Sequence, residues 1–138
     1  SGPGGIASIT VSGNNGVQGS FSGSTLSLSM TQNLTTGGSP QFVDVTITSD
    51  ERTKTNIRTI ENALDKLLKL RGVLFTRIDD GVDSTGVIAQ ELLSVLPEAV
   101  RLNENGLYSV AYGNIIGLVI EAIKELKTEI DEIKKKLP

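Results

Sequence analysis

Seven aliphatic side chains near the end of this 138-residue chain, Ile116, Val119, Ile123, Leu126, Ile130, Ile133 and Leu137, recur at alternating intervals of three and four. That spacing is the seam of a coiled coil, and it predicts one long helix from about Tyr112 to Lys136. With Ile116 at position a, the a positions read Ile, Ile, Ile, Leu and the d positions Val, Leu, Ile. Branched side chains at both kinds of position favour three strands over two. Burying such a seam is worth about 10–20 kcal/mol per chain at roughly 1.5–3 kcal/mol per side chain. Ordering the helix backbone costs about 1–2 kcal/mol per residue, so a lone helix gains no clear surplus. A homotrimer is therefore expected. The plainer alternative is a helix packed on its own domain.

The rest of the chain divides by charge. Asp44 is the only charged residue before Ser49, and every Lys and Arg lies after it. Residues 6–48 alternate in short bursts, Ile9/Val11, Leu26/Leu28/Met30 and Val43/Val45/Ile47, with Ser and Thr between them. Period two predicts strands with one buried face. Gly13-Asn14-Asn15-Gly16, Gly23-Ser24 and Gly37-Gly38-Ser39-Pro40 supply turns. One chain of this kind buries little, so the segment reads as part of a strand-rich shaft whose core is shared among chains. A flexible Gly/Ser linker is the bland alternative.

From Ile57 the period changes. Ile57, Ile60, Leu64, Leu67 and Leu68 predict one helical face, stopped by Gly72. Val73–Ile78 is expected as a strand, Asp79-Asp80-Gly81 as a turn, and Gly86–Ala89 as a short buried strand entering a helix from Gln90 to Leu96, which ends at Pro97. Asn105-Gly106, between Ala99–Leu102 and Leu107–Val110, is a strong hairpin signal. Asp79, Asp80 and Asp83 lie close together but miss the calcium-loop spacing, so they read as a solvated loop. The chain has no Cys and no His, which removes disulfides, thiolate zinc sites and the commonest metal ligand. No metal or cofactor is expected. No basic patch suggests nucleic acid, no apolar run suggests membrane insertion, and Ser1-Gly2-Pro3-Gly4-Gly5 reads as an added stub without the regions of a signal peptide.

The same absences limit nucleophilic chemistry. A serine hydroxyl needs a base, and here only lysine remains to supply one. Taken separately, Ser49 is a turn serine and Lys54 a solvated charge. Their surroundings, Ser49-Asp50-Glu51-Arg52-Thr53-Lys54-Thr55-Asn56-Ile57, resemble the opening of the self-cleaving intramolecular chaperone domains that end phage tail spikes, endosialidases and tail fibres. The resemblance continues through Ile60–Leu67, Leu70-Arg71-Gly72-Val73, Gly86–Glu91, Leu96–Val100, Tyr108–Tyr112 and Glu121–Leu126.

The resemblance implies that the bond between Thr48 and Ser49 is cut after folding, with Ser49 and Lys54 as catalytic dyad. Ser49 would attack the carbonyl of Thr48, and Lys54 would take the hydroxyl proton. A free lysine amine is only about 0.04% neutral at pH 7, so Lys54 is expected to be covered in the assembled state. Five residues of separation place the two side chains on opposite faces of a strand, or about 140° apart on a helix. A turn in Asp50–Thr53 must therefore bring them together, unless Lys54 comes from a neighbouring subunit. Asp50 and Arg52 are expected to form a local ion pair or cap, and Asn56 has no assigned role.

These readings together predict an α+β chain: residues 1–48 as the end of a trimeric β-rich shaft, and 49–138 as a mixed chaperone domain whose coiled coil starts near 112. The resemblance implies synthesis in the bacterial host cytoplasm, a mature fibre on the virion tail and a released chaperone that has the upstream polypeptide as its client. The rivals are a trimerisation module that never cuts and, less well supported, a Ser-Lys hydrolase acting on separate substrates.

Overall fold

The computed structural model describes residues 16–35 and 37–138. The expected Ile9/Val11 strand, most of the Gly13–Gly16 turn and the opening Ser1–Gly5 lie outside the described residues. The fold is α+β, with paired antiparallel strands and helices, and the chain falls into two compact units, Ser1–Thr53 and Lys54–Pro138.

In the first unit, β1 (Val17–Ser22) and β2 (Thr25–Met30) pair antiparallel, from Val17 opposite Met30 to Ser22 opposite Thr25. The expected Gly23-Ser24 turn joins them, with Gly23 at φ 60°, a left-handed conformation that costs glycine no Cβ clash. The Thr31 N–H donates to the Gly16 carbonyl at 2.7 Å and closes the open end. Phe21, Leu28 and Met30 remain exposed, and none of the described residues of this unit is buried. A two-stranded hairpin with no covered face is marginal by itself. The strand expected at Val43/Val45/Ile47 is absent. Alternation gives that stretch an apolar face, but no strand among the described residues pairs with its backbone, and all three side chains are exposed.

The second unit has its own core. Leu92 and Leu118 are its largest fully buried side chains, surrounded by Ala63, Val95, Leu96, Ala99, Val100 and Ala122. The helix expected from Ile57 is shorter than its apolar spacing suggested: α1 covers only Ala63–Leu67. Asn62, at φ 53°, is left-handed, and a right-handed helix cannot run through it. Ile57 and Leu68 stay exposed, while Ile60, Leu64 and Leu67 pack on the core. No side chain of Asn62 caps α1. The carboxylate of Glu125 does so from far along the chain, accepting the N–H of Ala63 at 2.9 Å and of Leu64 at 2.7 Å. Those bonds hold the Glu125 carboxyl below the usual carboxylate range.

Next come β3 (Val73–Thr76) and β4 (Asp83–Gly86), an antiparallel hairpin. The Asp79-Asp80-Gly81 turn is present, with Gly81 at φ 71° and the Arg77 N–H donating to the Val82 carbonyl. The Asp79 carboxylate pairs with Arg77, Asp80 accepts the Val82 N–H, and Asp83 accepts the Thr76 hydroxyl. The strand expected at Gly86–Ala89 is displaced, since only Gly86 belongs to β4. Val87 instead donates its N–H to the Tyr112 hydroxyl at 3.2 Å, and a Cβ at position 86 would collide with that hydroxyl.

Helix α2 (Ala89–Val95) ends just before Pro97, which opens a 3-10 turn, Pro97–Ala99. The Asn105-Gly106 hairpin joins β5 (Val100–Leu102) to β6 (Tyr108–Val110) in the expected place. A 3-10 turn at Tyr112–Ile115 then leads into α3, Ile116–Lys135.

Helix α3 carries two apolar stripes. Leu118 and Ala122 are buried, and α3 packs against α1. Of the heptad side chains Val119 is half-buried, while Ile116, Ile123, Leu126, Ile130, Ile133 and Leu137 are 40–65% exposed. The helix does pack on its own domain, but it uses residues outside the seam to do so. Leu118→Ala should lower the unfolding free energy by about 2–5 kcal/mol at any protein concentration, as truncation in a closed core does. Ile123→Ala should act only through association, so denaturant melts over a concentration series should show an effect that depends on concentration.

Candidate functional site

A 3-10 turn, Glu51–Thr53, occupies the stretch between the two residues singled out as a dyad. Asp50 builds it. Its Oδ1 accepts the Arg52 backbone N–H at 2.8 Å, and the Thr53 N–H donates to the Asp50 carbonyl at 3.1 Å. The Thr53 hydroxyl adds a second bond to that carbonyl at 2.7 Å. Aspartate favours this position because its short side chain reaches the backbone two residues on. The same carboxylate takes the Arg52 guanidinium in a two-pronged pair, Nε at 3.0 Å and Nη2 at 2.8 Å. The ion pair and the cap expected at Asp50 and Arg52 are thus one arrangement. Its side-chain bond to Arg52 comes first, and the backbone bond second, in holding the Asp50 carboxyl below its usual range. Such an exposed pair adds little stability. Its consequence is the shape of the turn.

Thr48 and Ser49 are exposed, and they directly precede this turn at the end of the first unit. Lys54 follows the turn as the first residue of the second unit and is exposed in the single chain. Two residues on, Asn56 at φ 53° turns the backbone again through the left-handed region, which asparagine tolerates better than most residues.

Within the second unit, Lys54 lines an open cleft of about 1080 Å³. Arg58, Ile60 and Glu61 continue the wall from the same segment, Lys66 contributes from α1, and Asn114 from the turn before α3. Val95–Ala99 form the remaining wall. The cleft thus combines an apolar floor with three cations, Lys54, Arg58 and Lys66, and two carboxylates, Glu61 and Glu98. Neither the cleft nor the Glu125 cap was foreseen from the sequence. Both join residues far apart in the chain, and Glu125 looks there like any other acidic side chain on a charged helix. Of the remaining site residues, Ile116, Val119, Ile123, Leu126, Ile130 and Ile133 lie on α3, and Leu137 falls just past its end.

Comparison with known proteins bears on the same stretch. Residues 49–101 match the family described as chaperone of endosialidase, so the match opens at Ser49. The long tail fiber protein Gp37 of Enterobacteria phage K3 is 40% identical over 103 residues, and that of phage T2 is equally similar; 68% of this chain aligns with each. The protein of the same name from Enterobacteria phage M1 is 34% identical over 110 residues, or 72% of this chain. The aligned region spans only 8% of the K3 and T2 proteins and 44% of the M1 protein.

The Asp50 turn should be visible in solution. A carboxyl group whose folded pKa is lowered keeps its bonds above the ordinary carboxylate range and loses them as pH falls through the lowered value. In an NMR titration the Arg52 amide resonance should therefore shift with an apparent pKa below that of a free aspartate. Asp50→Asn should flatten the curve, and an unchanged titration in that variant would remove Asp50 from the turn.

Proposed function

We propose that this chain, whose residues 49–101 match the chaperone of endosialidase family, is the homotrimeric chaperone end of a phage tail fibre, which templates the fibre and then cuts itself free between Thr48 and Ser49. The observation that carries the reading is the Asp50-built turn lying between Ser49 and Lys54, where a dyad spaced by five residues requires one. The exposed aliphatic seam of α3 supports trimer formation. Similarity to long tail fiber proteins supports a place on the virion tail for the upstream part.

The chemistry balances without a cofactor. The Ser49 hydroxyl oxygen attacks the Thr48 carbonyl carbon through a five-membered ring while Lys54 accepts the hydroxyl proton. As the tetrahedral centre collapses, the carbon–nitrogen bond breaks and the nitrogen takes a proton, leaving a Thr48 ester on Ser49 with a free amine. Water then hydrolyses the ester, which releases the Thr48 carboxylate and restores the hydroxyl. Lys54 must be neutral for the first step; it is exposed in the single chain, and in this reading trimer assembly is the event that covers it. Assembly thereby times the cut. A trimerisation module that never cuts would use the same seam but would leave the turn and its flanking pair without a task.

Intact mass measurement after assembly should give two fragments divided at Ser49. Ser49→Ala and Lys54→Ala should each abolish cleavage while light scattering still reports a trimer, and undiminished cleavage in either variant removes the dyad. The single-turnover rate should rise with pH, because only the deprotonated amine accepts a proton.

The seam makes a separate prediction. Ile123→Asp with Ile130→Asp would place like charges at a three-fold axis, where unpaired burial costs more than a marginal assembly withstands. The double variant should be monomeric or aggregated, and uncut. A sedimenting monomer that cleaves at the normal rate would show that trimer formation does not time the reaction.

A further inference from the structure

The segment that delivers Lys54 runs from there to Asn62 without helix or strand. It contains two left-handed asparagines, and most of its side chains are exposed. A stretch of that kind has no stiffness of its own. Its far end is held by contacts that converge on one element. Ile60 packs against α3 at Gly117, where an added Cβ would lie 3.6 Å from the Ile60 Cδ1. Two residues after Glu61, the Ala63 and Leu64 N–H groups are gripped by the two oxygens of Glu125. Asn114, just before α3, shares the cleft wall with Lys54.

We propose that Glu125 is a positioning residue for self-cleavage: its carboxylate ties the end of the Lys54 segment to the helix that bears the trimer seam, so that assembly of α3 fixes where the lysine amine lies. The inference rests on the self-cleavage reading above.

Several features single out this glutamate. It comes directly before Leu126 of the seam, yet it faces α1 rather than solvent, and it is half-buried. Both oxygens are used, one on each N–H, which fixes direction as well as distance. The grip falls where α1 lacks a cap of its own, because Asn62 is left-handed and its side chain makes no capping bond. The charge facing the carboxylate from α1 is Lys66, another residue of the cleft wall. Glu121, one turn earlier on α3, pairs with Lys124 and leaves Glu125 to this task. A displacement of about 1 Å at a reacting group can cost on the order of 100-fold in rate, so a tether remote from the chemistry has leverage.

The test uses the full chain and two substitutions. Glu125→Ala removes both acceptors, whereas Glu125→Gln keeps one carbonyl oxygen for one of the two N–H groups. Hydrogen exchange should show the Ala63 and Leu64 amides losing protection in the alanine variant and one of them retaining it in the glutamine variant. Among molecules shown by light scattering to be trimeric, cleavage should slow by about tenfold or more in Glu125→Ala and by a smaller factor in Glu125→Gln. Partial rescue by the conservative variant at constant assembly marks a positioning role. Wild-type cleavage rates in both assembled variants, despite lost amide protection, would overturn the proposal. So would failure of both variants to form trimers, which would assign Glu125 to the fold alone. Ser49→Ala serves as the control: if that variant still cuts, the cleavage reading itself has failed, and the Glu125 result is then read as overturned with it.

Discussion

A helix with apolar residues on two stripes cannot satisfy both within one small domain, and the second unit is organised around that constraint. Leu118 and Ala122 of α3 lie in the core with Ala63 and Leu92, leaving six of the seven heptad side chains exposed. The buried stripe makes α3 a structural member of the domain. The outer stripe leaves unsatisfied apolar area that further copies of the helix can cover, and the Ile-rich register favours two such copies. Surface ion pairs such as Lys127 with Asp131 keep the flanks soluble without contributing much stability. An association joined through this helix would therefore be felt by the core and by whatever the core holds.

The parts of the fold legible in the sequence are those set by neighbours a few residues away. The Asn105-Gly106 hairpin, the Gly23-Ser24 turn and the long terminal helix all fall where local chemistry put them. The failures have non-local causes. The apolar spacing from Ile57 to Leu68 is helical, yet the chain stays irregular until Ala63, where the N–H groups released by a left-handed Asn62 meet a carboxylate from residue 125. Gly86 likewise ends its strand where the next N–H, that of Val87, goes to the Tyr112 hydroxyl from far along the chain. At Val43, Val45 and Ile47 the apolar residues alternate, but a strand also needs a partner strand, and none of the described strands pairs with this stretch. For the site, the turn was legible because Asp50 and Arg52 act within their own loop. The cleft and the Glu125 cap were not, because no local pattern distinguishes them.

Charge separation along the chain gives the proposed chaperone a further physical basis. With Asp44 as its only charge before Ser49, the upstream segment has little to keep exposed strands from pairing wrongly. β1 and β2 show Phe21, Leu28 and Met30 to solvent, so their hairpin is the kind of element that adds strands from other chains. The charged second unit supplies solubility that the first lacks. In the proposed trimer, covalent attachment to it would keep strands of the same register near each other at an effective concentration of about millimolar, whatever the bulk concentration. Pairing between chains then competes on favourable terms with aggregation.

This arrangement also explains why separation should come last and through chemistry that runs once. While the template is attached, the strands can unpair and pair again at small entropic cost, so errors of register remain correctable. Once the Thr48–Ser49 bond is broken in the proposed reaction, re-association of three separate ends would become a dilute intermolecular event, and the shaft would persist because unpairing it is slow. A lysine base that would act only once covered suits the proposed order, since the surrounding assembly must then be complete before the cut. The proposed reaction would need no turnover and no substrate pocket, only the scissile bond next to its nucleophile and a base held still. In such a device the sensitive quantity is the position of the lysine, and the residues that report assembly to it carry as much of the mechanism as the hydroxyl it serves.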